Sequence, residues 1–225
     1  MARSLNLILI MFAILILISY GQTRQAQNNS VENILELPIK NCKMESSNIH
    51  LFLSAFAYKY NIPVGLEVAL NDDLNENKPI VINMQNGTVK DVLNSVIEQN
   101  PEYTWEVDNQ VINIFPKQNR DLILKQFLEV KFSKFIVKNE TSKFGLRESI
   151  AKSEEARKFL NNNNVSVENE VFTSRDITKL GRNFTLDIEN VDIKSLLNQV
   201  IRNSQTRYWI VNRYGKNKEY LLLNL

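Results

Sequence analysis

The 225-residue chain has one cysteine, Cys42, and one histidine, His50. A lone cysteine cannot close an internal disulfide, so no disulfide framework holds this fold. A lone histidine excludes a histidine pair for a metal and a relay through two imidazoles. Glycines number six and are scattered, so no glycine-rich loop is available to cradle phosphates. Neither sign of charge is in surplus: 27 Lys and Arg face 25 Asp and Glu, leaving +2. Nucleic-acid binding rests on clustered positive charge, and this balance gives no case for it.

One long hydrophobic run is present, at the start. Arg3 precedes Leu5 to Ile18, which is apolar apart from Asn6, and Ser19-Tyr20-Gly21 follows with small residues at cleavage-site spacing. Basic, apolar and small segments in that order mark a secretory signal. The run is short of the roughly 20 residues that span a bilayer comfortably. Residues 1–21 are therefore expected to be a signal peptide or, alternatively, an uncleaved anchor tethering the chain to the inner membrane through residues 5–20. Either way the rest of the chain is expected in the periplasm or otherwise exported. Residues 22–30, polar and rich in Gln and Asn, read as a linker.

Comparing the chain with itself shows a repeat. The stretch from Ile80 to Ile97 matches that from Phe184 to Ile201 without a gap, and the match extends to Trp105 with Trp209 and Val107 with Val211. Ile80, Ile82 and Met84 alternate with smaller or polar residues, as do Phe184, Leu186 and Ile188, so each is a strand with one buried face. The period then changes. Val89, Val92, Leu93, Val96 and Ile97 fall on one helical stripe, as do Ile193, Leu196, Leu197, Val200 and Ile201, with Thr88 and Asp192 at the N-cap positions. A hairpin follows in each, turning at Asp108-Asn109 in the first and through a longer loop, Arg213 to Lys218, in the second.

Fainter matches lie upstream. Ile49, Phe52, Leu53, Phe56 and Tyr60 mark a helix ended by Asn61-Ile-Pro63, followed by the strand Val64-Gly-Leu66-Glu-Val68. The counterpart is a helix from about Leu146 to Leu160, then Val165-Ser-Val167. Before these, Leu35 to Ile39 and Leu128 to Phe132 alternate as strands. The spacing thus predicts an α+β fold of two tandem β-α-β-β-α-β-β modules, residues 31–117 and 121–225, each with two helices packed on short mixed sheets. Residues 31–117 are expected to fold alone.

Each copy resembles the short N-terminal domain shared by secretins and TonB-dependent receptors. The resemblance rests on the helix and tight turn from Phe52 to Val64, the strand running into Asn-x-Thr/Asp-Val/Ile-Lys-x-x-Leu-x-x-Val-Ile, and the Trp-bearing hairpin. It covers residues 44–116 and the later half of the second copy well. It implies a non-catalytic docking piece that contacts an anti-sigma regulator or inner-membrane machinery. The chain has no room for a barrel of at least eight strands, so a free-standing pair of docking domains is expected.

Catalytic chemistry is thin. Cys42 with His50 is the one conceivable nucleophile and base, but His50 falls opposite its helix's apolar stripe. Asp72 to Asn77 starts like a calcium loop, yet Lys78 stands at the turn glycine and Met84 at the bidentate glutamate, leaving a polar turn. Trp105 and Trp209 read as core. The expectation is therefore no catalytic residue, no metal and no cofactor, with an envelope protein as partner and a homo-oligomer as an option. The contact is expected on the loop specific to the second copy, at Arg213, Tyr214, Lys216 and Lys218. A cell-wall-associated hydrolase or ligand-binding protein, and a self-assembling structural component, are the alternatives.

Overall fold

The computed structural model describes residues 34–70, 78–167, 179–215, 217 and 219–225. The expected signal or anchor, the linker and the Asp72–Asn77 turn lie outside the described residues. The fold is α+β. The first copy contains β1 (Pro38–Ser46), α1 (Ile49–Tyr60), β2 (Val64–Glu67), β3 (Ile80–Thr88), α2 (Val89–Gln99), β4 (Tyr103–Asp108) and β5 (Val111–Pro116). The second contains α3 (Leu122–Leu128), β6 (Lys131–Ser142), α4 (Lys143–Lys152), α5 (Glu154–Asn162), β7 (Ser166–Val167), β8 (Lys179–Asp192), α6 (Ile193–Asn203), β9 (Tyr208–Tyr214) and β10 (Tyr220–Asn224).

Local chemistry sets these boundaries. The Thr88 side chain accepts from the Asp91 amide while the Asp91 carboxylate accepts from the Thr88 amide, a reciprocal cap on α2. Asp192 accepts from the Ser195 amide at 2.7 Å and starts α6 as a one-way N-cap. Helix α1 ends at Asn61, whose φ of 57° is a left-handed conformation that asparagine tolerates.

Three elements differ from the pattern read in the sequence. Leu35 is helical, and the first strand starts at Pro38. Leu128 ends a helix rather than opening a strand: Asp121 Oδ1 accepts from the amides of Ile123 and Leu124, and Leu124, Phe127 and Leu128 turn inward at helical spacing. The helix expected from Leu146 to Leu160 is two helices. Ser153, with ψ of 149°, leaves helical geometry and caps α5 through the Ala156 amide, and Glu154 and Glu155 favour the positive end of the new helix.

The copies share one sheet. Six strands run in the order β4-β5-β2-β9-β10-β7, three from each copy, flanked by the two-stranded ribbons β1-β3 and β6-β8. The join is parallel, with Val64 opposite Tyr208, Gly65 opposite Trp209, Leu66 opposite Ile210 and Glu67 opposite Val211. All four residues of β2 are buried, as a strand paired on both edges and covered on both faces demands. Two cores form on opposite faces. Val64, Leu66, Trp105, Val107, Tyr208 and Ile210 belong to or pack on the first, under α1 and α2, while Val111, Trp209 and Val211 belong to the second, with α6. The two copies' strand triplets are thus related by a half-turn about an axis running across the strands.

Candidate functional site

The join between copies consumes the charges nearest to it. Arg120 grips the buried Glu67 carboxylate with two bonds of 2.6 and 2.5 Å, while its guanidinium lies 5.2 Å from the centre of the Phe115 ring. The hydrogen bond to Glu67 raises Arg120 further above its usual range. Arg213 binds both oxygens of Asp121 at 2.9 and 3.0 Å, and the two side chains are 10% and 3% exposed. Asp121 thereby caps α3 and anchors β9 at once.

Those positions bear on the contact residues expected from sequence. Arg213 and Tyr214 stand in β9 rather than in a loop, which starts at Gly215 with φ of +95°. The Tyr214 hydroxyl is buried and its ring lies 5.6 Å from that of Tyr220. Lys216 and Lys218 lie outside the described residues. The structure therefore places Arg213 and Tyr214 side by side on one strand, with the Arg213 charge directed to Asp121.

Cys42 and His50 are engaged separately. Cys42 is fully buried in the first core. Burial, with Cys42 as neighbour, pushes the Tyr60 hydroxyl up to about 12. His50 is not free on its helix face: its Nδ1 lies 3.0 Å from the Tyr208 hydroxyl of the second copy, and the rings stack at 5.6 Å. Burial lowers His50 and holds Tyr208 well above its usual range, so this pair is neutral. Among the described residues, no group of three or more His, Cys, Asp or Glu is placed to hold a metal ion. A cavity of about 350 Å³ opens where the copies meet, between Leu37, Pro63, Ile201 and Arg207. The Arg207 guanidinium is spent there on Asn61 Oδ1 and on the carbonyls of Ile201, Ser204 and Thr206.

Trp105 and Trp209 occupy equivalent sequence positions in unlike settings. Trp209 is 1% exposed, donates from Nε1 to Asn198 Oδ1 at 2.9 Å, and lies against Gly65, where a Cβ would come within 2.1 Å of the indole. Trp105 sits half-buried on β4, the end strand of the sheet.

The outer edge of β4 is the feature that sequence reasoning missed. Asn109 and Gln110 both have positive φ, 50° and 66°, forming a two-residue turn that closes on Asp108 opposite Val111. In such a hairpin the closing pair exchanges hydrogen bonds and the next pair does not, so the N–H and C=O of Val107, and then of Trp105, point outward. The Ile112 amide, opposite Val107, accordingly donates to the Pro63 carbonyl on the far side of β5. Among the described residues no strand pairs with this edge. The side chains flanking it are held from behind by α6: Lys194 to Glu106 at 2.5 Å, Asn198 to Asp108 at 3.3 Å, and Arg202 to the Asn109 carbonyl at 3.2 Å. The repeat marks Trp105 and Val107 as the counterparts of Trp209 and Val211, but that the latter two pair outward is visible only in the fold.

No family model, characterised relative or solved structure matches this chain.

Proposed function

We propose that the protein is a non-catalytic docking adaptor of the cell envelope, exported by its N-terminal segment, which takes up an extended strand from an envelope protein along β4. The observation that carries this reading is the outward-facing backbone of Trp105 and Val107, on a hairpin held rigid by a tight turn and by α6. An unpaired strand edge offers main-chain donors and acceptors to a partner segment, and the half-buried Trp105 gives that segment an apolar surface to cover. The resemblance of each copy to a secretin and TonB-receptor docking domain supports the same reading. So does the engagement of Cys42 and His50 in separate apolar and aromatic contacts, which leaves them unlike a nucleophile and base.

The test is a photo-reactive residue at Glu106 in the full chain, irradiated in intact cells, with mass spectrometry of the adducts. Adducts to a secretion component, a TonB-system regulator or an anti-sigma factor, lost when Val107→Pro removes the outward N–H, support the reading. Adducts unaffected by Val107→Pro would overturn strand addition at this edge.

A further inference from the structure

The cavity between the copies holds positive charge that nothing lining it neutralises. Its volume of about 350 Å³ falls at the lower end of the roughly 300–1,000 Å³ of small-molecule sites. Part of the lining is apolar: Leu37 from the segment before β1, Pro63 before β2, and Ile201 from α6. Leu37 keeps 40% of its surface exposed there. The polar part carries Gln110, Arg202 and Arg207, and none of the lining residues is acidic. These two arginines differ from those at the join, where Arg120 and Arg213 each hold a carboxylate. Arg207 donates to Asn61 and to three carbonyls, neutral acceptors that leave its charge uncancelled. Arg202 is exposed and makes one bond, from Nη1 to the Asn109 carbonyl. Among the described residues neither makes an ion pair. The C-terminal end of α6 opposes them with roughly half an elementary charge, against the full charge that each arginine keeps. Positive charge therefore remains in surplus beside an apolar wall.

We infer that this cavity binds a small amphiphilic anion, its carboxylate or phosphate head held by Arg202 in the field of Arg207 and its apolar body laid against Leu37, Pro63 and Ile201. The Nε and Nη2 donors of Arg202 are unused, and they are the pair with which Arg120 holds Glu67. That pair matches the two oxygens of an oxyanion in spacing and direction. Head and body act together. An exposed guanidinium holds a bare oxyanion weakly, because water and salt screen the attraction. The apolar wall contributes only through the area that a ligand's body removes from water. An apolar cation would be repelled by both arginines, and a neutral apolar molecule would leave them unpaired. The site is separate from the β4 edge, and its ligand does not depend on strand addition there.

The experiment titrates octanoate and octyl phosphate into the full-length chain by calorimetry at low salt, with octylamine, octanol and inorganic phosphate as comparisons. At least one of the two amphiphilic anions is expected to bind about tenfold or more tighter than any comparison, and the better of the two names the head group. Arg202→Gln is expected to weaken that anion by about tenfold or more. The exposed position of Arg202 lets this variant keep its fold, which circular dichroism checks. Arg202→Lys should weaken it less, because the charge stays while the paired donors are lost. Leu37→Ser should weaken the amphiphilic anion through the apolar wall. Amide NMR shifts on binding are expected at Asn61, Gln110 and Arg202. A folded chain that binds neither anion overturns the inference, as does one that binds octylamine or octanol as tightly. An affinity unchanged in Arg202→Gln, or shifts centred away from Asn61 and Gln110, would put the ligand elsewhere and overturn it equally. None of these results bears on photo-adducts at Glu106, so the docking reading stands or falls by its own test.

Discussion

Replacing Gly65 by alanine tests the join between the two copies with a single methyl group. Its Cβ would sit 2.1, 2.3 and 2.6 Å from Cε2, Cζ2 and Nε1 of Trp209. Contacts under 3 Å cannot persist, so the indole or the β2 backbone must move. The indole is fully buried and tied to Asn198, so it has little room. Overpacking of this kind costs about 1–3 kcal/mol, and loss of the Nε1 hydrogen bond adds about 1 kcal/mol, giving about 2–4 kcal/mol in all. For a chain of this size each kcal/mol lowers Tm by about 2–4 °C, so Gly65→Ala is expected to melt about 4–16 °C lower. The matched control is Gly87→Ala, whose Cβ would meet the end of the flexible Met84 side chain at 2.2 Å and is expected to cost under about 1 kcal/mol. Trp209→Phe destabilises alone, but in the Gly65→Ala background it should recover part of the loss. Thermal and urea unfolding followed by circular dichroism read the four variants against the parent. Equal stability of Gly65→Ala and the parent, or strictly additive effects in the double variant, would refute the close approach of β2 and Trp209.

Three further outcomes follow from the same geometry. Residues 31–117 alone are expected to unfold at lower urea than the intact chain, because Tyr208 and Ile210 leave the first core and each such side chain contributes about 1.5–3 kcal/mol; equal midpoints would show that the copies stabilise themselves separately. Arg213→Ala is expected to destabilise by about 3 kcal/mol, since it strips the buried Asp121 carboxylate of its cation, and a loss under about 0.5 kcal/mol in urea titration would contradict that. His50 is held below its unfolded value of 6.5. The unfolded chain therefore binds a proton that the folded chain refuses, and stability contributed by this group is complete above pH 6.5 and falls as pH drops below it. The limit is about 1.4 kcal/mol per pH unit. His50→Gln should flatten the profile in that window, and an unchanged slope would rule His50 out.

The repeat carried most of the local structure into view. Helices α2 and α6, their caps at Thr88 and Asp192, and the strands before them were legible because each depends on residues a few positions apart. What sequence could not display is pairing between distant segments. Nothing local in Val64-Gly-Leu-Glu says which strand lies on its far edge, and Arg213 looked like a loop cation because its partner Asp121 comes from the other end of the second copy's chain segment. Helix α3 was hidden for a different reason: only seven residues long, it offers too few turns for a periodic stripe, and its identity rests on the Asp121 cap. The two tryptophans looked alike in sequence, yet the half-turn between copies sends them to opposite faces, leaving Trp105 at an edge and Trp209 in the interior. The candidate site was illegible for the same reason, because an edge is a statement about which strands are missing beside it.

The parallel join of β2 to β9 also orders events while the chain is being made. Synthesis delivers β2 well before β9, so a nascent first copy carries an unsatisfied strand edge while everything from β3 to α6 is being made. Contacts so far apart in sequence form slowly, and open edges in the interval invite pairing with the wrong chain. The settling of Trp209 on Gly65, whenever it comes, is thus the moment at which the fold becomes safe from its own neighbours.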